Sequence, residues 1–176
     1  MKSVNQWIYN MNKELKLNTS FKSKFVVVLF RVSSLKNTKY NKYFLFLFSF
    51  ISVFYYFLVD FFMGVEIKPN TKIGWGLVIY HPNSIVINPN AIIGRNFILR
   101  HGVTIGNKYN REKNIETSSP VIGDNVEIGA NSTIIGSIKI GDNVVMGANV
   151  FVDFNIPSCS IVYPTRNQVK YRKMVV

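Results

Sequence analysis

Over most of the second half of the chain an aliphatic residue returns at every sixth position, and few folds accommodate that period. Ile67, Ile73 and Ile79 are followed, after a shift of two, by Ile87, Ile93, Leu99 and Ile105. After a longer break come Ile122, Ile128, Ile134, Ile140, Met146 and Val152. Gly follows the aliphatic residue at 74, 94, 106, 123, 129, 141 and 147, and a small or apolar residue falls four after it at 77, 91, 97, 103, 126, 132, 138, 144 and 150. A 3.6-residue helix would not keep these thirteen positions on one face, and glycine at this frequency costs a helix about 1 kcal/mol each relative to alanine. Antiparallel hairpins call for turn chemistry every ~8–12 residues, whereas here Gly, Asp-Asn and Ala-Asn return every six. Each hexad therefore reads as one short strand and one corner, with three hexads to a triangular coil and the aliphatic residues stacked inward in ladders. The predicted class is mainly β: a parallel β-helix over residues 65–160, an N-terminal helical region over 1–64 and a tail over 161–176.

The repeat is broken twice. Between Ile79 and Ile87 the run Tyr80-His81-Pro82-Asn83-Ser84-Ile85-Val86 adds two residues to the register, and residues 107–121, NKYNREKNIETSSPV, form a polar excursion that would project as a loop. Rigid scaffolds tend to build their sites on such excursions.

The N-terminal quarter differs in chemistry. The formal net charge is +12, and residues 1–42 hold nine lysines and arginines against the single acid Glu14, about two thirds of the excess. Such an excess points to an anionic partner. Residues 43–59, YFLFLFSFISVFYYFLV, contain no charge. As a helix they would extend roughly 25 Å, slightly short of a ~30 Å hydrocarbon core. Ser49, Ser52, Tyr56 and Asp60 recur at spacings of three, four and four, one weak polar stripe on an otherwise apolar helix. Two placements stay open: peripheral contact of residues 43–62 with a membrane surface, favoured by the flanking lysines, or packing on protein. No recognised nucleic-acid-binding motif accompanies the lysines, so nucleic acid is not the expected partner. A single cysteine, Cys159, forbids an intramolecular disulfide, and the first twenty residues lack a cleavable-signal pattern, so the expected location is the cytoplasm, free or at the inner face of the membrane.

The repeat, together with residues 65–74 and 80–87, resembles the hexapeptide-repeat acyltransferases. Within them it looks like the serine O-acetyltransferase group, particularly its shorter members in polysaccharide gene sets, over about residues 63–160. The resemblance implies a left-handed β-helix, a homotrimer and acetyl-CoA as co-substrate, with no metal. It implies that His81 is the general base that deprotonates an acceptor hydroxyl, and that Glu66, in place of the more usual Asp, orients the imidazole. The pantetheine arm would lie in the groove between adjacent subunits along Gly106, Ala130 and Ala148, although Ala130 and Ala148 also suit corners of the repeat. Lys139 and Arg166 would meet the coenzyme phosphates. His101 aligns with a position commonly polar in the group, and it and its neighbour Arg100 are candidates to meet the acceptor, the alternative being an exposed or packed role. Cys159, with no basic partner nearby, suits a structural turn rather than a nucleophile. A zinc site as in the carbonic anhydrases of this fold needs three histidines, and the chain has two.

The chain also departs from the group. Serine acetyltransferases carry an Arg-His pair before Pro in the excursion loop, which holds the amino-acid carboxylate; here the loop reads Thr117-Ser118-Ser119-Pro120. Ile161-Val162-Tyr163-Pro164 lacks the Gly expected two residues before Pro. The apolar N-terminal arm suits an acceptor at a membrane surface, such as a lipid-linked capsule or O-antigen sugar. Serine acetylation and a non-catalytic scaffold are the alternatives.

Overall fold

The computed structural model describes residues 2–35, 42–112 and 114–164. Three parallel faces form a prism. The first carries β1 (Val65–Ile67), β4 (Ile85–Ile87), β7 (Thr104–Gly106), β12 (Thr133–Ile135) and β15 (Phe151–Val152). The second carries β2 (Lys72–Ile73), β5 (Ile92–Ile93), β10 (Val121–Ile122) and β13 (Lys139–Ile140). The third carries β3 (Val78–Tyr80), β6 (Ile98–Arg100), β11 (Glu127–Ile128), β14 (Val145–Met146) and β16 (Ile161–Val162). The excursion holds a small antiparallel hairpin, β8 (Tyr109–Asn110) with β9 (Ile115–Glu116).

Strand register measures each coil. Val65 pairs with Ile85, Lys72 with Ile92 and Val78 with Ile98, so the first coil takes twenty residues. Val86 pairs with Thr104, eighteen on, the length of three hexads. Ile92 with Val121 and Ile98 with Glu127 are twenty-nine apart, because the excursion lies between them. Val121 with Lys139 returns to eighteen, and Val145 with Ile161 falls to sixteen. That last pairing carries the prism past residue 160, the boundary expected from the repeat. All thirteen aliphatic hexad positions are buried, as are the nine positions four residues after them. Among the latter, Ser132 replaces an aliphatic residue without an orphaned hydroxyl, since its Oγ donates to the Gly147 carbonyl at 2.9 Å and accepts from Val150 N at 3.2 Å.

A coil stack has two ends, and each end exposes unpaired strand backbone. The N-terminal region seals the first. Helices α1 (Lys2–Leu17), α2 (Phe21–Ser34) and α3 (Lys42–Tyr55), the last continuing as a π-helical stretch Tyr56–Phe62, lie against the first coil. Their polar side chains bond to its free backbone edge. Asn18 donates to Leu77 O and accepts from Ile79 N; Ser23 Oγ donates to Ile79 O at 2.6 Å; Arg31 donates to Ile73 O and Gly74 O. Glu14 accepts from the N–H groups of Gly76 and Leu77, and its carboxylate is gripped by Arg31 at 2.7 and 2.9 Å, a buried bidentate pair. Val26, Val27 and Phe30 of α2 join the core beneath.

The apolar stretch at 43–59 packs one side on protein. Ser52, Tyr55 and Val59 are buried, and the Tyr55 hydroxyl donates to Ile67 O at 2.5 Å; burial raises its pKa well above the usual phenol value. Asp60 pairs with Lys68 at 2.6 Å. Of the expected polar stripe, Ser52, Tyr56 and Asp60 are buried or half-buried, while Ser49 is exposed with the phenylalanine side. Among the described residues no helix is long and apolar enough to cross a membrane.

Candidate functional site

Where the third face turns into the first face of the next coil, a column of backbone positions runs down the prism: Gly64, Ser84, Gly102, Asn131 and Asn149, all with φ between 52° and 69°. Left-handed φ favours Gly and Asn, which accounts for most of these residues. Just before them runs a second column. Gly102 N donates to Asn83 O, Asn131 N to His101 O and Asn149 N to Ala130 O, which stacks Asn83, His101, Ala130 and Ala148 in that order. Since Tyr80 pairs with Arg100, two residues of the first coil have no counterpart in the next: His81 and Pro82.

These are the two surplus residues of the first break. Pro82 is buried, whereas His81 is exposed at φ 56°, and its ring stands over His101 with centroids 6.2 Å apart and planes at 72°. The two histidines, with Asn83, Ser84, Gly102 and Asn131, line a small open pocket of 190 Å³. Asn83, Ser84, Gly102 and Asn131 were not among the sequence-based candidates. The signal that would have found them is the break itself: Asn83 and Ser84 directly follow the two surplus residues, and Asn83 stacks on His101, next to Gly102.

The other expected site residues are dispersed around this corner. Ala130, half-buried, and Ala148, exposed, follow directly below His101 in the same column. Arg100 ends β6 with its guanidinium 5.1 Å from the Tyr80 ring centroid and hydrogen-bonded to Glu127 at 2.9 Å, so it braces the third face beside the pocket. Glu66 is the exposed centre of β1, opposite Val86. Among the described residues, no hydrogen bond or ion pair joins it to His81. Gly106 ends β7 at the other edge of the first face, where an added Cβ would meet nothing within 4 Å. Lys139 is exposed on β13 of the second face, away from the pocket, and Arg166 lies outside the described residues. Cys159, exposed at φ 59°, continues a column of asparagines at a different corner.

The second break leaves the prism between the first and second faces. Its hairpin is closed by Lys108 N to Thr117 Oγ1 at 2.8 Å and tied to the prism by Lys108 with Asp153 at 3.1 Å and by Asn88 with Asn107 at 3.2 Å. Within one chain the width of the first face, about 10 Å at ~3.3 Å per residue, separates this corner from that of His81.

Comparison with known proteins agrees with this geometry. Residues 119–153 match the family model described as bacterial transferase hexapeptide (six repeats). The acetyltransferase WcaB of Escherichia coli K12, assigned to colanic acid biosynthesis, is 39% identical over 121 residues, covering 69% of this chain and 72% of that protein. A serine acetyltransferase of Staphylococcus epidermidis is 45% identical over 105 residues, 60% of this chain and 48% of the relative. Among solved structures, serine acetyltransferase isoform 3 of Entamoeba histolytica in complex with cysteine superposes with a TM-score of 0.66 at 28% identity, covering 88% of this chain and 52% of that one. The Neisseria gonorrhoeae serine acetyltransferase in complex with serine gives 0.61 at 30% identity, covering 80% and 54%. The chain thus spans about half the length of the serine acetyltransferases it matches.

Proposed function

The chain belongs to the hexapeptide-repeat acetyltransferases, and on that premise we propose that it moves an acetyl group from acetyl-CoA to a sugar hydroxyl of a surface polysaccharide or its precursor, with His81 as general base. The observation that carries this reading is the two-residue surplus, which sets an exposed imidazole against His101, in a column continued below it by the small residues Ala130 and Ala148.

A neutral ring nitrogen of His81 takes the proton of the acceptor hydroxyl as its oxygen attacks the thioester carbonyl. The new C–O bond forms, the C–S bond breaks, and the proton is passed on to the departing thiolate of coenzyme A. Base catalysis of this kind contributes about 10²–10⁴-fold. His101, edge-on to His81, and its neighbour Arg100 are assigned to the acceptor. Glu66 is the acid assigned to orient the His81 ring; catalytic hydrogen bonds often tighten only when substrate is bound. The open face of Gly106 and the small side chains of Ala130 and Ala148 fit close approach of a pantetheine arm, and Lys139 fits a coenzyme phosphate. Because these groups stand on different faces of one prism, the complete site is read as lying between adjacent copies of a homotrimer in the cytoplasm.

Sugar is favoured over serine by the excursion: the loop reads Thr117-Ser118-Ser119-Pro120, with no Arg-His pair before Pro120 to hold an amino-acid carboxylate. Acetyl-CoA turnover by the purified protein with serine and with polysaccharide-derived sugars separates the two. Transfer to sugar and not to serine is expected; efficient transfer to serine would refute the assignment. Mass spectrometry of the cell's polysaccharide with and without the protein then gives the position acetylated.

A further inference from the structure

The side of α3 and its π-helical continuation that faces away from the prism is aromatic. Phe46, Phe50, Phe54, Phe57, Phe61 and Phe62 are between 49% and 79% exposed, and Phe57, Phe61 and Phe62 pack on one another at centroid distances of 5.0–6.3 Å. Contiguous apolar surface on this scale marks an interaction site. In sequence the segment is preceded by cations: Lys36, Lys39 and Lys42 come immediately before it, and no acid lies between Glu14 and Asp60. The face also ends at the histidine corner. Phe61 and Phe62 lead through Met63 into Gly64, whose carbonyl accepts from Ile85 N and which stands over Ser84 of the pocket. The start of α2, where Phe21 is 84% exposed, is fastened by Ser23 to Ile79, two residues ahead of His81.

We propose that this aromatic face docks on an anionic lipid surface, and that the acceptor is a sugar carried on a membrane lipid and met at the His81 corner. The second half rests on the acetyl-transfer reading; the first does not. Lipid suits the face better than a second copy of the chain. A second copy would bring together two chains of net charge +12, and Asp60, the acid within this segment, is already paired with Lys68. A phosphatidylglycerol surface supplies both the apolar bed and the negative charge.

Flotation of the full-length protein with vesicles of phosphatidylglycerol and phosphatidylethanolamine tests the docking. The wild type and His81→Ala are expected to float. Phe57→Glu/Phe61→Glu, at exposed positions, should lose about tenfold or more of the bound fraction, and Lys36→Gln/Lys39→Gln/Lys42→Gln several-fold. Flotation of the phenylalanine variant equal to wild type would overturn the proposal. So would a wild type that stays with the aqueous fraction while the same substitutions dissolve a self-associated species seen by light scattering. For the acceptor, acetyl transfer is compared between a polyprenyl diphosphate-linked sugar in such vesicles and the same sugar free in solution. The phenylalanine variant should lose transfer to the first and keep transfer to the second; equal loss or no loss would overturn that half. A wild type that floats yet acetylates neither sugar would refute the acetyl-transfer reading and the acceptor with it, leaving the docking intact.

Discussion

Gly76, Asn96, Asn125, Asn143 and Cys159 form one column at the corner between the second and third faces, and Gly64, Ser84, Gly102, Asn131 and Asn149 form another where the third face meets the first; all ten hold left-handed φ. In the first column the asparagines bond to one another down the prism, Asn96 to Asn125 at 2.8 Å and Asn125 to Asn143 at 3.1 Å, and each coil enters the corner alike. In the second, one coil enters with two residues more than the turn requires, and one of them is His81. The backbone geometry accounts for Gly and Asn at both corners. It does not account for an exposed histidine among the surplus residues, so that is where a reason other than folding has to be sought.

The largest effect that separates the corners is on turnover. His81→Ala should lower acetyl transfer about 10²–10⁴-fold with unchanged thermal unfolding, whereas Asn125→Ala should leave turnover within a few-fold of wild type. The reverse pattern would dissolve the distinction.

Next in size is the head of the asparagine column, where Gly76 N donates to Glu14 Oε1 at 2.9 Å. Glu14→Ala leaves Arg31 buried and unpaired and should cost about 3–5 kcal/mol in denaturant unfolding, with Glu14→Gln costing less because it keeps an acceptor.

Glycine substitutions follow. A Cβ at Gly129 would overlap the backbone of Gly147 and Ala148, so Gly129→Ala should cost about 1–3 kcal/mol. Gly106→Ala meets open space and should leave stability alone while raising KM for acetyl-CoA. An unchanged KM would remove Gly106 from the coenzyme path.

Asn125→Ala itself should cost about 1–2 kcal/mol of stability for the left-handed conformation, and Asn125→Gly less.

Smallest is a pH effect at the same column. Asp124 accepts from the Arg95 backbone N–H at 2.7 Å and then from its guanidinium, and these hold its carboxyl below the usual carboxylate range. A depressed folded-state pKa stabilises the fold above the ordinary carboxylate pKa, and that contribution is lost as pH falls through the lowered value. The group is solvent-exposed, so Asp124→Asn should flatten the acid side of the Tm–pH curve only slightly.

The hexads were legible because a coil repeats one backbone conformation, so each aliphatic residue reports the same inward direction. The breaks were legible for the same reason, and the two-residue surplus at 80–86 is the length by which the first coil exceeds eighteen. Contacts at a break cannot be read from the period: His81 has no backbone counterpart in the next coil, yet the surplus lets its ring meet that of His101. The helical cap left no periodic trace, because Glu14, Asn18, Ser23 and Arg31 answer individual orphaned backbone groups of the first coil. The polar stripe on residues 43–59 identified a helix. It did not predict that buried Tyr55 would aim its hydroxyl at Ile67 O, nor that the phenylalanine face would remain uncovered.

The central claim, that the surplus residues at one corner carry acetyl transfer, is tested most directly by comparing steady-state transfer from acetyl-CoA to the polysaccharide sugar by wild type, His81→Ala and Asn96→Ala. Loss of turnover in His81→Ala alone, with binding of acetyl-CoA retained, is the predicted result. Turnover by His81→Ala equal to that of wild type would contradict it.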